Sequence, residues 1–389
     1  MTAAAATTPR ATVAADTGRF PDLMLMAIAV ALLLIGLIAI SSASVGYAEA
    51  SYNNMWHHSI RHLIYLALAL ISGFICYQVP VEFWYRSGWL LLLLSSLLLI
   101  LVLIPGVGRN VNGSQRWLAL GSMTLQPSEL AKAAMIVYLS GYLLRQGKTL
   151  QESWQGILRP LMILGLVAVL LLAEPDFGAV VIMFATAFGM LFLAGMRLTH
   201  LSLIILATGA LGALLIQAAP YRLQRLIAYT DPWADPFGSG FQLIQSLIAF
   251  GRGEWFGVGL GNSVQKLFYL PEAHTDFVFS IWAEETGFVG AFVLISLFLA
   301  LVLRIFYLGR QAQKDGQLFS AYLCFGVALM FSGQAFVNMG VSAGLLPTKG
   351  LTLPLISYGG TSLITACVLL SMVLRVAHER NQPKGGRKR

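Results

Sequence analysis

The sequence predicts an all-α polytopic membrane protein with about ten transmembrane helices and one large outer loop between helices 7 and 8. Of its 389 residues, 57% are hydrophobic and only 11% are charged. The mean hydropathy is +0.75. Many apolar runs approach the ~20 residues that cross a bilayer as a helix. This composition excludes a soluble globular domain.

Ten apolar stretches are candidate spans, and they cover most of the chain. They lie at residues 22–44, 58–79, 87–105, 127–145, 159–174, 177–195, 200–218, 278–304, 318–341 and 357–377. Residues 219–277 form the large loop, and residues 22–377 make one membrane domain. An Ala- and Thr-rich tail at 1–21 precedes that domain, and a basic tail at 378–389 follows it. An even number of spans places both tails on the same side of the membrane.

The distribution of basic residues predicts which side that is. Sixteen of the 25 Lys and Arg residues fall on the side of the two tails. By the positive-inside rule, this side is the cytoplasm. The net charge of +8 therefore reflects topology, and we expect no nucleic acid partner. The three cysteines lie inside spans without metal-ligand spacing, which predicts small buried side chains.

The chemically informative loops all fall on the outer side. They are residues 106–126, with a tight turn predicted at Asn112-Gly113, the link 174–178, the large loop 219–277 and the Gly- and Pro-broken stretch 341–360. Within the large loop, the apolar piece LIQSLIAF is too short to cross the membrane, so it lies on the surface or re-enters. Irregular backbone at membrane depth is tolerated only inside protein or along a wet cavity. The outer face is thus the predicted working face.

Asp276 is the leading candidate for catalysis. It lies where the polar large loop meets an apolar run, so its carboxylate is partly removed from water. That setting raises its basicity unless a cation lowers it again, which suits a general base or a metal ligand. An equally weighted alternative is that Asp276 caps the following helix and that Glu284 and Glu285 simply face water.

Glu129 and Lys132 begin span four, three residues apart and therefore on one helix face. Ionisable residues at the edge of a span are costly unless they are paired or face a wet cavity. This favours a substrate-binding role, with a self-satisfied structural ion pair as the alternative.

Further basic residues on the outer side could bind a departing diphosphate. These substrate-binding candidates are Arg116, Arg222, Arg225, Lys266 and Lys349. For Arg222 and Arg225, which lie one turn apart if helical, an ordinary interfacial helix with snorkelling side chains is an equally good interpretation. From these residues alone, two functions stay open. One is transfer of a sugar from a lipid diphosphate, and the other is transport.

Longer motifs are more specific, and the chain resembles the SEDS family of bacterial shape, elongation, division and sporulation proteins, closest to its division branch. The resemblance covers residues 22–377. The segments that carry it are Asn112-Gly113 with Arg116-Trp117, QPSELAK at 126–132, EPDFG at 174–178, DPW at 231–233, LPEAHTDFVF at 270–279, AEETG at 283–287 and GLLPTKGLTLPLISYGG at 344–360.

The resemblance implies a ten-helix inner-membrane peptidoglycan glycosyltransferase that polymerises lipid II at the periplasmic face of the division septum. It implies partnership with a class B penicillin-binding transpeptidase and other divisome proteins. The family's essential loop aspartate corresponds to Asp276, and its polar pair to Glu129 and Lys132. A divalent cation, Mg²⁺ or Mn²⁺, is also implied, with Asp276 as its ligand. The chain departs from the pattern at Thr361, where Ser is expected, although a hydroxyl is kept.

Two other functions compete with polymerisation. A lipid II flippase would also show polar residues inside spans and a broken stretch such as 344–360. No inverted repeat is detectable, which weakens that alternative. A non-catalytic scaffold that positions the transpeptidase is the third.

Overall fold

The computed structural model describes residues 21–111, 114–121, 123–217, 220–348 and 350–381. These residues form helices and one small sheet. The helices are α1 (Leu23–Ala43), α2 (Val45–Tyr52), α3 (His57–Gln78), α4 (Val81–Leu103), α5 (Pro127–Glu152), α6 (Trp154–Ala173), α7 (Phe177–Leu193), α8 (Leu198–Gln217), α9 (Pro220–Thr230), α10 (Phe241–Gly253), α11 (Val278–Lys314), α12 (Leu318–Ser342) and α13 (Gly360–Asn381). The strands are β1 (Gly108–Val111), β2 (Ser114–Leu120) and β3 (Met123–Leu125).

Each of the ten predicted spans coincides with a helix, which confirms the polytopic membrane fold. Eight of these helices are long and apolar enough to cross a bilayer. The other two are α7, which is apolar but has only 17 residues, and α5, which carries charged residues near both ends. Helix α4 begins ahead of its predicted start because Pro80 precedes it and an Arg86–Glu82 pair of 2.8 Å supports its polar first turns.

Helices α12 and α13 form the centre of the bundle. Most of their length is buried, whereas α8 is almost entirely exposed. Helix α12 packs against α5, α7 and α11, and α13 packs against α3. The outer helices expose rows of large apolar side chains, such as Leu93 and Leu97 of α4. Such surfaces suit lipid rather than water.

A three-stranded antiparallel sheet, in the order β1-β2-β3, lies between α4 and α5. Pure helix was predicted, so this sheet is an addition to the expected fold. Val111 pairs with Ser114, which leaves two residues between the strands. The turn predicted at Asn112-Gly113 occupies that place and lies outside the described residues.

Helix α11 is broken at Gly287, whose φ of 69° is in the left-handed region. The loop after α10 provides hydrogen-bond partners for the backbone groups on both sides of this break. Phe288 N–H donates to Glu254 O at 2.8 Å, and Glu284 O accepts from Val258 N–H at 3.0 Å. A side chain on Gly287 would overlap the backbone nitrogens of Phe256 and Gly257. The break therefore needs glycine.

The large loop carries two helices that do not cross the bundle. Helix α10 covers the LIQSLIAF piece with 13 residues, which is too short for a span. It is not a plain surface helix, because Ser246 is buried and its hydroxyl lies 2.6 Å from both Ser280 Oγ and Ser342 O. Arg222 and Arg225 lie on helix α9, so the local helix assumed in the interpretation as an interfacial helix is present.

Candidate functional site

The candidate site is assembled by residues 350–361, here called the connecting segment. It joins the end of the large loop to the beginning of α5. Toward the large loop, Tyr358 N–H donates to His274 O at 3.0 Å. Toward α5, Thr361 Oγ1 accepts from Gln126 N–H at 3.0 Å and donates to Thr124 O at 3.2 Å. Either a Ser or a Thr hydroxyl could make these bonds, so the departure at Thr361 preserves the contact.

Asp276 is half-buried and lies just before α11. The cap position of this helix is occupied by Phe277, which has no side-chain oxygen, so the structure does not put Asp276 at the capping position. Asn338 anchors its backbone, because Asn338 Nδ2 donates to Asp276 O at 2.8 Å and to Leu351 O at 2.6 Å. A methyl group placed on Gly350 would lie 3.1 Å from Asp276 Oδ2, so the connecting segment passes directly over the carboxylate.

A cluster of aromatic rings, which sequence reasoning did not find, supports this end of the large loop. The His58 ring lies 5.0 Å from that of His274, 5.1 Å from that of Tyr358 and 5.6 Å from that of Tyr47, between centroids. Both ring nitrogens of His58 are buried without a protein hydrogen-bond partner. Burial lowers the pKa of His274 to about 4, so this ring is neutral at pH 7.

Arg61 is a second residue that sequence reasoning missed. Its positive charge acts on the Tyr358 hydroxyl and favours the ionised form of that group. It therefore brings a cation to the connecting segment at Tyr358, the residue whose N–H donates to His274 O. Because Arg61 is a single basic residue inside an apolar span, no local pattern marks it.

Glu129 and Lys132 form the pair that their spacing predicted. Lys132 Nζ lies 2.9 Å from Glu129 Oε1, and their side chains are only 2% and 7% exposed, respectively. Lys132 also borders a small cavity whose other walls are mainly aliphatic and Met side chains of α5, α7 and α12, together with Thr186. The structure thus supports a buried ion pair at the beginning of α5. Its role in binding substrate stays a prediction.

Arg116 connects the sheet to the link between α6 and α7. Its guanidinium donates to the carbonyl oxygens of Glu174 and Pro175. The Glu174 carboxyl beside it is fully buried, and neither of its oxygens has a hydrogen-bond partner in the protein. Burial raises the pKa of Glu174 to about 8, with Asp176 adding to the rise and Arg116 opposing it. Glu174 is thus a carboxyl that holds its proton near pH 7.

Lys266 is buried in a network rather than open to the loop surface. Its ammonium donates to Ser42 Oγ at 2.8 Å, Gly261 O at 2.7 Å and Glu285 Oε1 at 2.9 Å. Three protein acceptors match the three protons of an ammonium group. This geometry favours a structural role, and substrate binding by Lys266 stays a prediction.

The interpretation in which Glu284 and Glu285 face water is wrong. Glu284 is 0% exposed and Glu285 is 2% exposed. Glu284 accepts hydrogen bonds from the Ser263 hydroxyl and from Val264 N–H, the latter at 3.2 Å, and pairs with Arg252 at 3.2 Å. These carboxylates stay buried because partners from the large loop satisfy them.

The remaining predicted cations cannot be placed at the site. Lys349 lies outside the described residues, between Thr348 and Gly350. The helical backbone of Arg222 and Arg225 is described, but their side chains are outside the described part of the chain.

The donor set near Asp276 suits a weakly held hard cation rather than a closed metal cage. No group of three or more His, Cys, Asp or Glu side chains with metal-binding geometry occurs among the described residues. Mg²⁺ is commonly bound by one or two carboxylates together with phosphate oxygens of a substrate. Asp276 fits that pattern, because its half-buried carboxylate could provide the protein ligand.

Together, the helices and this site define a class: a polytopic membrane protein in which a half-buried carboxylate, Asp276, lies beneath the connecting segment. A family model described as "Cell cycle protein", which groups FtsW, RodA and SpoVE, matches residues 22–382. The chain belongs to this family, the SEDS family.

Curated relatives and solved structures agree with that assignment. The chain is 52% identical to the probable peptidoglycan glycosyltransferase FtsW of Hahella chejuensis, over 92% of this chain and 90% of the relative. It is 50% identical to the protein of that name from Pseudomonas fluorescens, over 93% and 90%. A structure described as "Structural coordination of polymerization and crosslinking by a peptidoglycan synthase complex" matches with a TM-score of 0.75 and 32% identity, over 93% and 99% of the two chains. The rod shape determining protein RodA of Thermus thermophilus matches with a TM-score of 0.67 and 29% identity, over 93% and 98%.

Proposed function

We propose that this protein is a peptidoglycan glycosyltransferase that polymerises lipid II at the outer face of the inner membrane during cell division. Its likeness to relatives with that enzyme name supports the class of reaction. The observation that carries the proposal is Asp276, a half-buried carboxylate anchored through its backbone by Asn338 and covered by Gly350. The predicted topology would put this site in the periplasm, with both termini in the cytoplasm.

In the proposed reaction, the sugar 4-hydroxyl of one lipid II attacks the anomeric carbon of the growing glycan chain. A carbon–oxygen bond forms, and the bond to the lipid diphosphate breaks. Asp276 accepts the proton of the attacking hydroxyl as the general base. A divalent cation held by Asp276 and the substrate would instead neutralise charge on the leaving diphosphate.

Cationic side chains would assist departure of the diphosphate. Lys349, Arg222 and Arg225 remain our candidates for this contact, and Arg61 joins them because its charge acts on Tyr358 of the connecting segment. Arg116 would act by holding the α6–α7 link in place, since its guanidinium already contacts two carbonyl oxygens there.

We also propose a class B penicillin-binding transpeptidase as partner, together with other divisome membrane proteins. A similar solved structure is described as a peptidoglycan synthase complex that coordinates polymerisation and crosslinking. Crosslinking is a second activity, which the transpeptidase would supply.

The test is Asp276→Asn in membranes reconstituted with the transpeptidase and labelled lipid II. We expect loss of glycan strands by about 100-fold or more, the usual range for losing an acid–base group. Glu49→Gln, which neutralises an exposed carboxylate on α2, serves as the matched control and should remain active.

The same assay includes a chelator arm and a lipid II translocation arm. Loss of polymerisation in EDTA and its return with Mg²⁺ would support the cation. Near-normal polymerisation by Asp276→Asn would overturn the assignment of Asp276. Translocation without glycan strands in the unmodified protein would instead favour the flippase.

A further inference from the structure

The opposite end of the bundle contains a polar cavity that the proposed function does not use. It lies between the beginning of α4 and the second half of α5 and has a volume of about 160 Å³. Its walls include Tyr85, Arg86 and Trp89 of α4 and Tyr138, Gly141 and Arg145 of α5. Two arginines and three aromatic side chains therefore surround one opening between two membrane helices.

The charge of this cavity is positive. Arg145 extends back along its own helix, with its guanidinium carbon 5.7 Å from the centre of the Tyr85 ring. A methyl group on Gly141 would lie 3.2 Å from Arg145 Nη1, so the absence of a side chain at Gly141 leaves room for the guanidinium. None of the ion pairs among the described residues involves Arg145. It is thus available for an anion.

Arg86 adds a second, weaker charge. It pairs with Glu82 at 2.8 Å, but the two side chains are 77% and 58% exposed. Exposed pairs of this kind contribute little and exchange readily with other ions. A phosphate entering the cavity could therefore contact Arg86 as well as Arg145.

The position of the cavity points to a lipid rather than a soluble anion. Arg145 follows Lys132 by 13 residues of α5, or ~20 Å along a helix, which places it near the far boundary of the bilayer. Below the cavity, α4 exposes a row of leucines, with Leu90, Leu93, Leu94 and Leu97 each 42–50% exposed. Trp89, at the mouth, is 62% exposed, as is usual for aromatic residues at a membrane interface.

We propose that the cavity between α4 and α5 binds the headgroup of an anionic phospholipid, with its phosphate against Arg145 and Arg86 and its acyl chains along the α4 leucines. Basic pockets between transmembrane helices on the cytoplasmic side are suited to such headgroups. The predicted topology puts the cavity on that side. A soluble anion would gain nothing from the leucine row, and an uncharged headgroup would leave Arg145 without a counter-ion.

The experiment measures lipid binding to the purified full-length protein by native mass spectrometry. Phosphatidylglycerol is the probe, phosphatidylcholine is the neutral comparator, and glycerol 3-phosphate represents the headgroup alone. Arg145→Gln removes the main cation. Arg310→Gln, an exposed arginine near the end of α11, makes the same charge change away from the cavity. Gly141→Leu keeps both charges but fills the space.

We expect Arg145→Gln to weaken phosphatidylglycerol binding about five-fold, the effect of one basic residue at an anionic membrane surface. Gly141→Leu should weaken it similarly, whereas Arg310→Gln should leave it within about two-fold of the unmodified protein. Because Arg145 is exposed, its replacement should not prevent folding, and the Arg145–Arg310 comparison stands even if Gly141→Leu does not fold.

Three outcomes would overturn the proposal. Equal losses for Arg145→Gln and Arg310→Gln would mean that only overall charge matters. Equally tight binding of phosphatidylcholine would show that the site does not require an anionic headgroup. Equally tight binding of glycerol 3-phosphate would show a site for soluble anions.

Discussion

At the scale of single residues, the Glu129–Lys132 pair is the clearest case of a charge that depends on its neighbour. Both side chains are almost fully buried and lie 2.9 Å apart. Removing one partner leaves an uncompensated buried charge, which costs roughly 3–5 kcal/mol, whereas removing both leaves none.

We therefore predict that Glu129→Ala and Lys132→Ala each lower the melting temperature and the polymerase activity, and that the double variant loses less than the sum. The expected coupling energy is at least ~1 kcal/mol. Thermal unfolding in detergent and the lipid II assay measure the two effects. Strictly additive losses would mean that the two residues do not act as a pair.

Glu174 gives a prediction about pH. Its ordinary pKa of 4.5 is raised to about 8 in the folded protein. The folded state therefore keeps a proton that the unfolded state loses, so stability falls as pH rises from about 4.5 to about 8.

Glu174→Gln, which mimics the protonated carboxyl, should raise the melting temperature at pH 8 by about 3 °C or more and change little at pH 4. The matched Glu49→Gln variant, at an exposed carboxylate, should show no such pH-dependent gain. If Glu174→Gln shifted the melting temperature equally at pH 4 and pH 8, the assignment of a proton to Glu174 in the folded protein would be contradicted.

At the scale of elements, the break in α11 ties the large loop to the bundle. The loop after α10 satisfies backbone groups on both sides of Gly287. A left-handed backbone costs a residue with a side chain roughly 1–2 kcal/mol, and here the side chain would also meet backbone atoms.

We predict that Gly287→Ala lowers the melting temperature by at least about 2 °C, corresponding to a loss of about 2 kcal/mol or more. The control is Gly212→Ala on α8, where an added methyl group would meet nothing within 4 Å and the glycine has no left-handed backbone. This control should be neutral or slightly stabilising, because Ala favours helix. Equal melting temperatures for the two variants would show that the break is not needed.

At the scale of the whole molecule, the site assignments depend on which side of the membrane each loop occupies. We predict that a single cysteine at Ser239 reacts with an impermeant maleimide in intact spheroplasts. A cysteine at Gln313 should react only after the membrane is opened. Both positions are exposed, and the buried Cys76, Cys324 and Cys367 would be replaced first.

The choice of labelling positions itself depends on the fold. Ser263 lies in the same loop as Ser239, but it is only 2% exposed and its hydroxyl contacts Glu284. A cysteine at Ser263 would therefore not react with the maleimide, whichever side of the membrane the loop occupies. If the cysteine at Gln313 reacted in intact spheroplasts and the one at Ser239 did not, the topology would be the inverse of the predicted one. The site would then not be periplasmic.

Features that depend on neighbouring residues in the chain were predictable from the sequence. The ten spans follow from the length and apolar character of continuous segments. The Glu129–Lys132 contact follows from a three-residue spacing on one helix. Asp276 could be placed before its helix because the polar loop changes to an apolar run at that point. The long motifs were sufficient to indicate the family.

Contacts between distant segments were decided only by the tertiary structure. Ser42 meets Glu285 although 243 residues separate them, and His58 meets His274. Lys266 and Glu284 look like surface charges in the sequence, yet both are buried with partners. The reason is physical: in a membrane, a helix face that packs on protein is as apolar as one that packs on lipid. Hydropathy therefore finds the helices, but only their packing determines which loops meet.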